Sequence, residues 1–183
     1  MGKNVLILTG SPRIGGNTDR LAESFAKGAK EAGHNVKTFA AGRADIKPCK
    51  ACNACLKLGK CVFEDDFQVV EPMLREADVV ALVSPVFWYD ISAQLKLLID
   101  KFYSTDAQRH ISESVLILNG AVEDTARFDG AVQVFKRLCE VSVQLKDRGV
   151  VLAGGCSSST VPINDDILAH PAMEEAYLLG KSL

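Results

Sequence analysis

Short apolar, β-branched runs alternate along this chain with longer segments whose apolar residues recur at helical spacing, and that alternation leaves few folds open. The runs fall at 5–9, 35–39, 78–84, 114–119 and 149–154, and the amphipathic segments at roughly 17–32, 66–76, 92–104, 129–147 and 170–182. Leu21, Phe25 and Ala29 show the helical spacing within the first of these segments. A strand buried on both faces reads as a continuous apolar run, and a parallel partner is reached only through a crossover connection. Strands separated by helices therefore predict a parallel sheet with helices on both faces. The expected architecture is α/β: an open, doubly wound sheet of five parallel strands in the order 2-1-3-4-5. Ligands of such sheets sit beyond the carboxyl ends of the strands, where the strand order reverses. The loops after the first, third and fourth strands are thus the places to look for function.

The 183 residues suit one hydrophobic core, so a single domain over 1–183 is expected, with a cysteine-rich insertion loop at about 45–66. The 21 basic and 23 acidic side chains leave a net charge of −2, which argues against a nucleic-acid surface. No apolar stretch approaches the roughly 20 residues that span a bilayer. The first apolar run follows Lys3 with no small-residue cleavage site, so a cytoplasmic protein is expected. In a reducing compartment, cysteines serve more readily as metal ligands, redox groups or buried apolar residues than as disulfides. Cys139 and Cys156 stand alone and are expected in the core.

The other four cysteines, Cys49, Cys52, Cys55 and Cys61, are spaced C-x2-C-x2-C-x5-C. Iron–sulfur clusters are held by thiolates at such short spacings, and one loop could supply all four corners of a [4Fe-4S] cluster. Two other readings remain open. Structural zinc also takes four thiolates, though usually from two separated knuckles; a loop of free thiols is the other. Asp65 and Asp66, just beyond, are expected to cap the following helix. His34, His110 and His170 have no companion at ligand or catalytic spacing and are expected to be structural or surface residues.

The loop after the first strand, TGSPRIGGNT from Thr9 to Thr18, runs straight into a helix. The hydroxyls of Ser11 and Thr18, the amide of Asn17, the guanidinium of Arg13 and backbone N–H groups near Gly15 and Gly16 can converge there, where the helix dipole favours an anion. It lacks the G-K-[ST] ending of a nucleoside-triphosphate loop and the spacing of a dinucleotide fingerprint, which points to a terminal monophosphate. Asn17 or Thr18 would also serve as the helix cap. The loop after the third strand, SPVFWYDISAQ from Ser84 to Gln94, places Pro85 and three consecutive aromatics, Phe87, Trp88 and Tyr89, at the same edge. Three in a row cannot all point inward, so at least one is expected to line a pocket or an oligomer contact. The loop after the fourth strand offers Asn119 and Gly120.

Together these residues resemble the NADPH-dependent FMN reductase superfamily of flavodoxin-like proteins, and more closely its iron–sulfur flavoprotein branch. The resemblance implies that Ser11, Arg13, Asn17 and Thr18 surround the FMN phosphate. It implies that Pro85, Val86, Phe87, Trp88 and Tyr89 cradle the isoalloxazine, with Asn119 and Gly120 at its edge. It also implies that Cys49, Cys52, Cys55 and Cys61 ligate a [4Fe-4S] cluster. The expected function is an FMN-dependent oxidoreductase that takes electrons from a donor such as NAD(P)H or ferredoxin and passes them to a small-molecule or protein redox partner. A homodimer or homotetramer is expected. The alternatives are a cluster-free NAD(P)H-dependent FMN or quinone reductase and a non-enzymatic flavodoxin-like electron carrier.

Overall fold

A computed structural model describes residues 2–104, 111–141, 145–156 and 165–183. Its strands are β1 (Asn4–Thr9), β2 (Asn35–Phe39), β3 (Val79–Phe87), β4 (Asp90–Ile91), β5 (Glu113–Asn119) and β6 (Lys146–Ala153). Its helices are α1 (Asn17–Glu31), α2 (Ala54–Leu58), α3 (Phe67–Glu76), α4 (Ala93–Asp100), α5 (Asp129–Val141) and α6 (Pro171–Lys181). Five strands pair in parallel in the order β2-β1-β3-β5-β6. Counting parallel strands alone, this is the flavodoxin-like order 2-1-3-4-5 expected from the alternation of strands and helices.

Successive side chains of a strand leave on opposite faces, and the core divides accordingly. Leu6, Leu8, Val80, Leu82, Leu116 and Leu118 point to one side, where Phe67, Leu74, Leu95, Leu98 and Phe135 of α3, α4 and α5 cover them. Val5, Ile7, Ala81, Val83, Val115 and Ile117 point to the other, against Leu21 and Phe25 of α1 and Ala172 and Ala176 of α6. Among the described residues no helix is long and apolar enough to cross a membrane.

Three details depart from the sequence reading. The third strand continues to Phe87 and folds back through Trp88 and Tyr89 onto the two-residue β4, antiparallel to it, with Val86 opposite Ile91. The segment expected as a helix over 129–147 ends at Val141, and β6 already begins at Lys146; residues 142–144 lie outside the described set. The polar Lys146 and Asp147 read as helix surface, but among the described residues β6 has a strand partner on one side only, so its first residues stay in water. Finally, α4 stops at Asp100 and is followed by a 3₁₀ turn over Phe102–Ser104.

Candidate functional site

The carboxyl ends of β1, β3 and β5 open into a cleft of about 230 Å³. Nine of the eleven residues expected at a cofactor line it: Ser11, Arg13, Asn17 and Thr18 from the first loop, Pro85, Val86 and Phe87 from the second, Asn119 and Gly120 from the third. Trp88 and Tyr89 do not. They form the tip of the β3–β4 hairpin, and Trp88 is 94% exposed. Strand alternation and the reversal of the chain at this turn carry them away from the wall that Phe87 joins.

Two serines that the sequence did not single out brace the first two loops. Ser92 caps α4 by accepting from the Leu95 N–H at 3.3 Å, and its hydroxyl donates to the Gly10 carbonyl at 2.7 Å. The hydroxyl of Ser84 accepts from the Ser92 N–H at 2.9 Å and donates to the Pro85 carbonyl at 2.8 Å. Any side chain at Gly10 would put its Cβ 2.5 Å from Ser92 Oγ, so only glycine permits this approach. Pattern-based reading finds faces and caps, but not hydrogen bonds across 82 residues of chain.

At the start of α1 the expected capping by Asn17 or Thr18 does not occur. The N-cap is Gly16, which makes no side-chain capping bond. Both polar side chains reach across the cleft instead: Thr18 Oγ1 donates to Asn119 Oδ1 at 2.7 Å, and Asn17 Nδ2 donates to the Cys156 carbonyl at 3.3 Å. Asn17 Oδ1 is buried with no partner. Exchanging the amide's oxygen and nitrogen would set two acceptors against each other at the Cys156 carbonyl, so the orphan is an acceptor, one that only a donor such as a hydroxyl could satisfy. An unsatisfied group of this kind costs about 1–3 kcal/mol. Ser11 is also buried, and its hydroxyl accepts from the Arg13 N–H at 3.1 Å.

Cys156, expected in the core, is buried but also lines the cleft. Its N–H donates to the Gly120 carbonyl at 2.8 Å, and its thiol donates to the Gly154 carbonyl at 3.3 Å. It ties the end of β6 to both the first and third loops. Cys139 is core as expected, and burial pushes its thiol up to about 11.

The loop between β2 and α3 holds the remaining cysteines as free thiols. Cys49 and Cys52 are exposed, while Cys55 (on α2) and Cys61 are half-buried. Among the described residues, no three His, Cys, Asp or Glu side chains come together as a group able to hold a metal ion. The donor chemistry therefore suits a cluster, but the arrangement here is not a formed cage. What is well formed is the neck of the loop. Asp66 accepts from the Asp45 N–H at 2.7 Å, and Asp65 accepts from the N–H groups of Lys47 at 2.9 Å and Phe67 at 3.0 Å. The Lys101 ammonium pairs with Asp65, their side chains being 1% and 0% exposed. It also lies over the rings of Phe63 and Phe67, at 5.6 and 5.3 Å. Burial opposes the charge on Asp65, yet the hydrogen bonds from Lys101, Lys47 and Phe67 outweigh it and hold the carboxyl below its ordinary value. The two aspartates thus close a loop rather than simply cap α3, whose N-cap, Asp66, makes no side-chain capping bond.

The histidines behave as structural groups. His34 Nδ1 accepts from the Lys3 N–H at 3.0 Å, and burial, followed by the Lys3 charge, holds its pKa below the ordinary value. His170 caps α6 by accepting from the Ala172 N–H. His110 lies outside the described residues.

Known proteins point the same way. The sequence model of the family described as NADPH-dependent FMN reductase matches residues 3–127, which contain all three loops and the four clustered cysteines. An iron–sulfur flavoprotein of Methanocaldococcus jannaschii is 36% identical over 97 residues, covering 53% of this chain and 50% of that protein. One of Methanosarcina thermophila is 35% identical over 94 residues, covering 51% and 49%. The chain spans about half the length of the curated relatives it matches. Among solved structures, the NAD(P)H:quinone oxidoreductase from Methanothermobacter marburgensis has a TM-score of 0.71 at 18% identity, covering 100% of this chain and 96% of that one, and shares its fold.

Proposed function

The chain belongs to the NADPH-dependent FMN reductase family, and from that premise we propose that its cleft binds FMN and that the protein is an NAD(P)H-dependent flavin oxidoreductase. The observation that carries the reading is the uncapped start of α1, set in the wall of the cleft with Ser11 and Arg13. Helix N–H groups and dipole there favour a phosphate; Ser11, Arg13 and the second N–H of the Asn17 amide would supply side-chain donors, while Thr18, its hydroxyl proton committed to Asn119, would line the site. Pro85, Val86 and Phe87 would give the flavin ring an apolar wall. Asn119 and Gly120 would meet its polar edge, and Trp88 and Tyr89 would stand beside it at the hairpin tip.

Bound FMN would supply the exchange between a two-electron donor and one- or two-electron acceptors; the protein's part is to bind, orient and tune it. In this reading Thr18 and Asn119 hold the first and third loops at a fixed separation, and Ser84 and Ser92 do the same for the first and second. No side chain has to move a proton. The acceptor is a small-molecule or protein redox partner, and the working unit is a homodimer or homotetramer. The hairpin tip gives that assembly an exposed aromatic surface.

The four-cysteine loop is proposed as the holder of a [4Fe-4S] cluster, supported by its all-thiolate donor set and by the names of the relatives. Because the thiols do not converge in this structure, loading requires the loop to close on the metal, and no electron step is derived through it. The test begins with protein purified without oxygen and titrated with FMN, followed by NADPH or NADH. Saturable binding and bleaching of the flavin's visible band by either nucleotide are expected. Binding without bleaching would point to an electron carrier, and absence of binding would overturn the reading. Iron and sulfide content of the same preparation separates the cluster-bearing from the cluster-free reductase.

A further inference from the structure

We propose that Arg43, which no motif marks, is the positioning residue of the phosphate loop: it holds the carbonyl oxygens of Ser11 and Arg13 on the side away from the cleft. The inference rests on reading that loop as the FMN phosphate site. A loop that offers N–H groups to an anion must send its carbonyls elsewhere, because every backbone acceptor needs a partner. Here that of Gly10 goes to Ser92 and that of Gly15 to Arg20, while those of Arg13 and Ser11 go to Arg43. Its Nη1 lies 3.0 Å from the Arg13 carbonyl and 3.0 Å from Asp19 Oδ2, with longer contacts of 3.4 Å to the Ser11 carbonyl and Asp19 Oδ1. Arg43 is absent from the cleft wall and lines a separate groove with Asp19, on the outside of the loop. In a planar trans peptide the N–H points opposite the carbonyl. Fixing the Arg13 carbonyl on Arg43 therefore turns the Ile14 N–H the other way.

Asp19 gives Arg43 a second task. This carboxylate, in the first turn of α1, accepts from the Gly15 N–H at 2.9 Å and would repel a phosphate bound nearby. The guanidinium pairs with it and cancels its charge. The approach of Arg43 is itself built in. Its neighbour Gly42 packs backbone to backbone on the loop, where a Cβ would fall 2.2 Å from the Ser11 carbonyl oxygen and 2.6 Å from the Gly10 carbonyl carbon. Only glycine allows the chain after β2 to come that close.

The experiment compares dissociation constants for FMN and riboflavin, which differ by the phosphate alone, in the wild type, Arg43→Met and Arg43→Lys. Wild type should bind FMN the more tightly. Arg43→Met should weaken FMN by about tenfold or more, the scale of a lost charge-assisted contact, while riboflavin changes by less than about twofold. Arg43→Lys keeps the charge but not the placement of Nη1 between the carbonyls and Asp19, and should fall between. Equal losses for both flavins, or an unchanged FMN-to-riboflavin ratio, would overturn the proposal. If Arg43→Met does not fold, Arg43→Lys decides, and a wild-type ratio in that variant overturns it too. A wild type that binds both flavins equally would remove the phosphate site itself, a failure of the underlying reading that the variants cannot mimic.

Discussion

Trp88 and Tyr89 occupy the central positions of the β3–β4 turn with φ of 49° and 67°, a conformation in which bulky side chains are rarely found. Hairpins of this kind ordinarily use Asn-Gly. Left-handed backbone at non-glycine residues costs roughly 1–3 kcal/mol and persists where function retains it. Tyr89→Gly should therefore stabilise the fold by about 1 kcal/mol once glycine's extra chain entropy is subtracted. A urea midpoint that falls in this variant would show the turn to be unstrained. The aromatic cluster was legible in the sequence as a patch that could not point one way, and Phe87 on the cleft wall bears that out. Which of the three would line the wall was not legible, because the reversal at Trp88 is set by the pairing of β4.

At the scale of elements, the cysteine loop hangs from a neck closed by Asp65, Asp66 and Lys101, and the neck dominates its energetics. Lys101 and Asp65 are buried together, so removing one charge strands the other. Asp65→Asn should cost about 3–5 kcal/mol in chemical denaturation, and a loss below 1 kcal/mol would mean that the pair is not integral to the fold. The same pair fixes an acid response. The carboxyl of Asp65 is held below its ordinary value of 3.8, so its contribution is complete above that pH and is lost as pH falls further through the depressed value. The sequence showed the two aspartates as helix caps because they stand immediately before α3. Asp65 does accept from the N–H of Phe67 at the start of α3, but the further partners Asp45, Lys47 and Lys101 are brought in by the closing of the loop and the docking of α4. The β6 boundary was misplaced for a related reason, since edge position rather than local pattern decides how polar a strand may be.

For the whole molecule, the layered plan was the most legible property. Central strands buried on both faces read as unbroken apolar runs, and the order β2-β1-β3-β5-β6 follows from crossovers of one hand. That order brings three loops, separated by some hundred residues of chain, to one cleft. Nine of the eleven residues expected from the sequence face the cleft, because the phosphate and flavin chemistry proposed for it constrains their type. Those missed, Ser84, Ser92, Cys156 and Arg43, act on other parts of the protein, and their partners lie far away in the chain. The central claim is that this cleft takes FMN with its phosphate at the start of α1. It is tested most directly by a crystal structure of the protein grown with FMN. The account predicts the phosphate among Ser11, Arg13, Asn17 and Thr18, with the ring against Pro85, Val86 and Phe87. Flavin bound elsewhere, or its phosphate pointing away from α1, would contradict it.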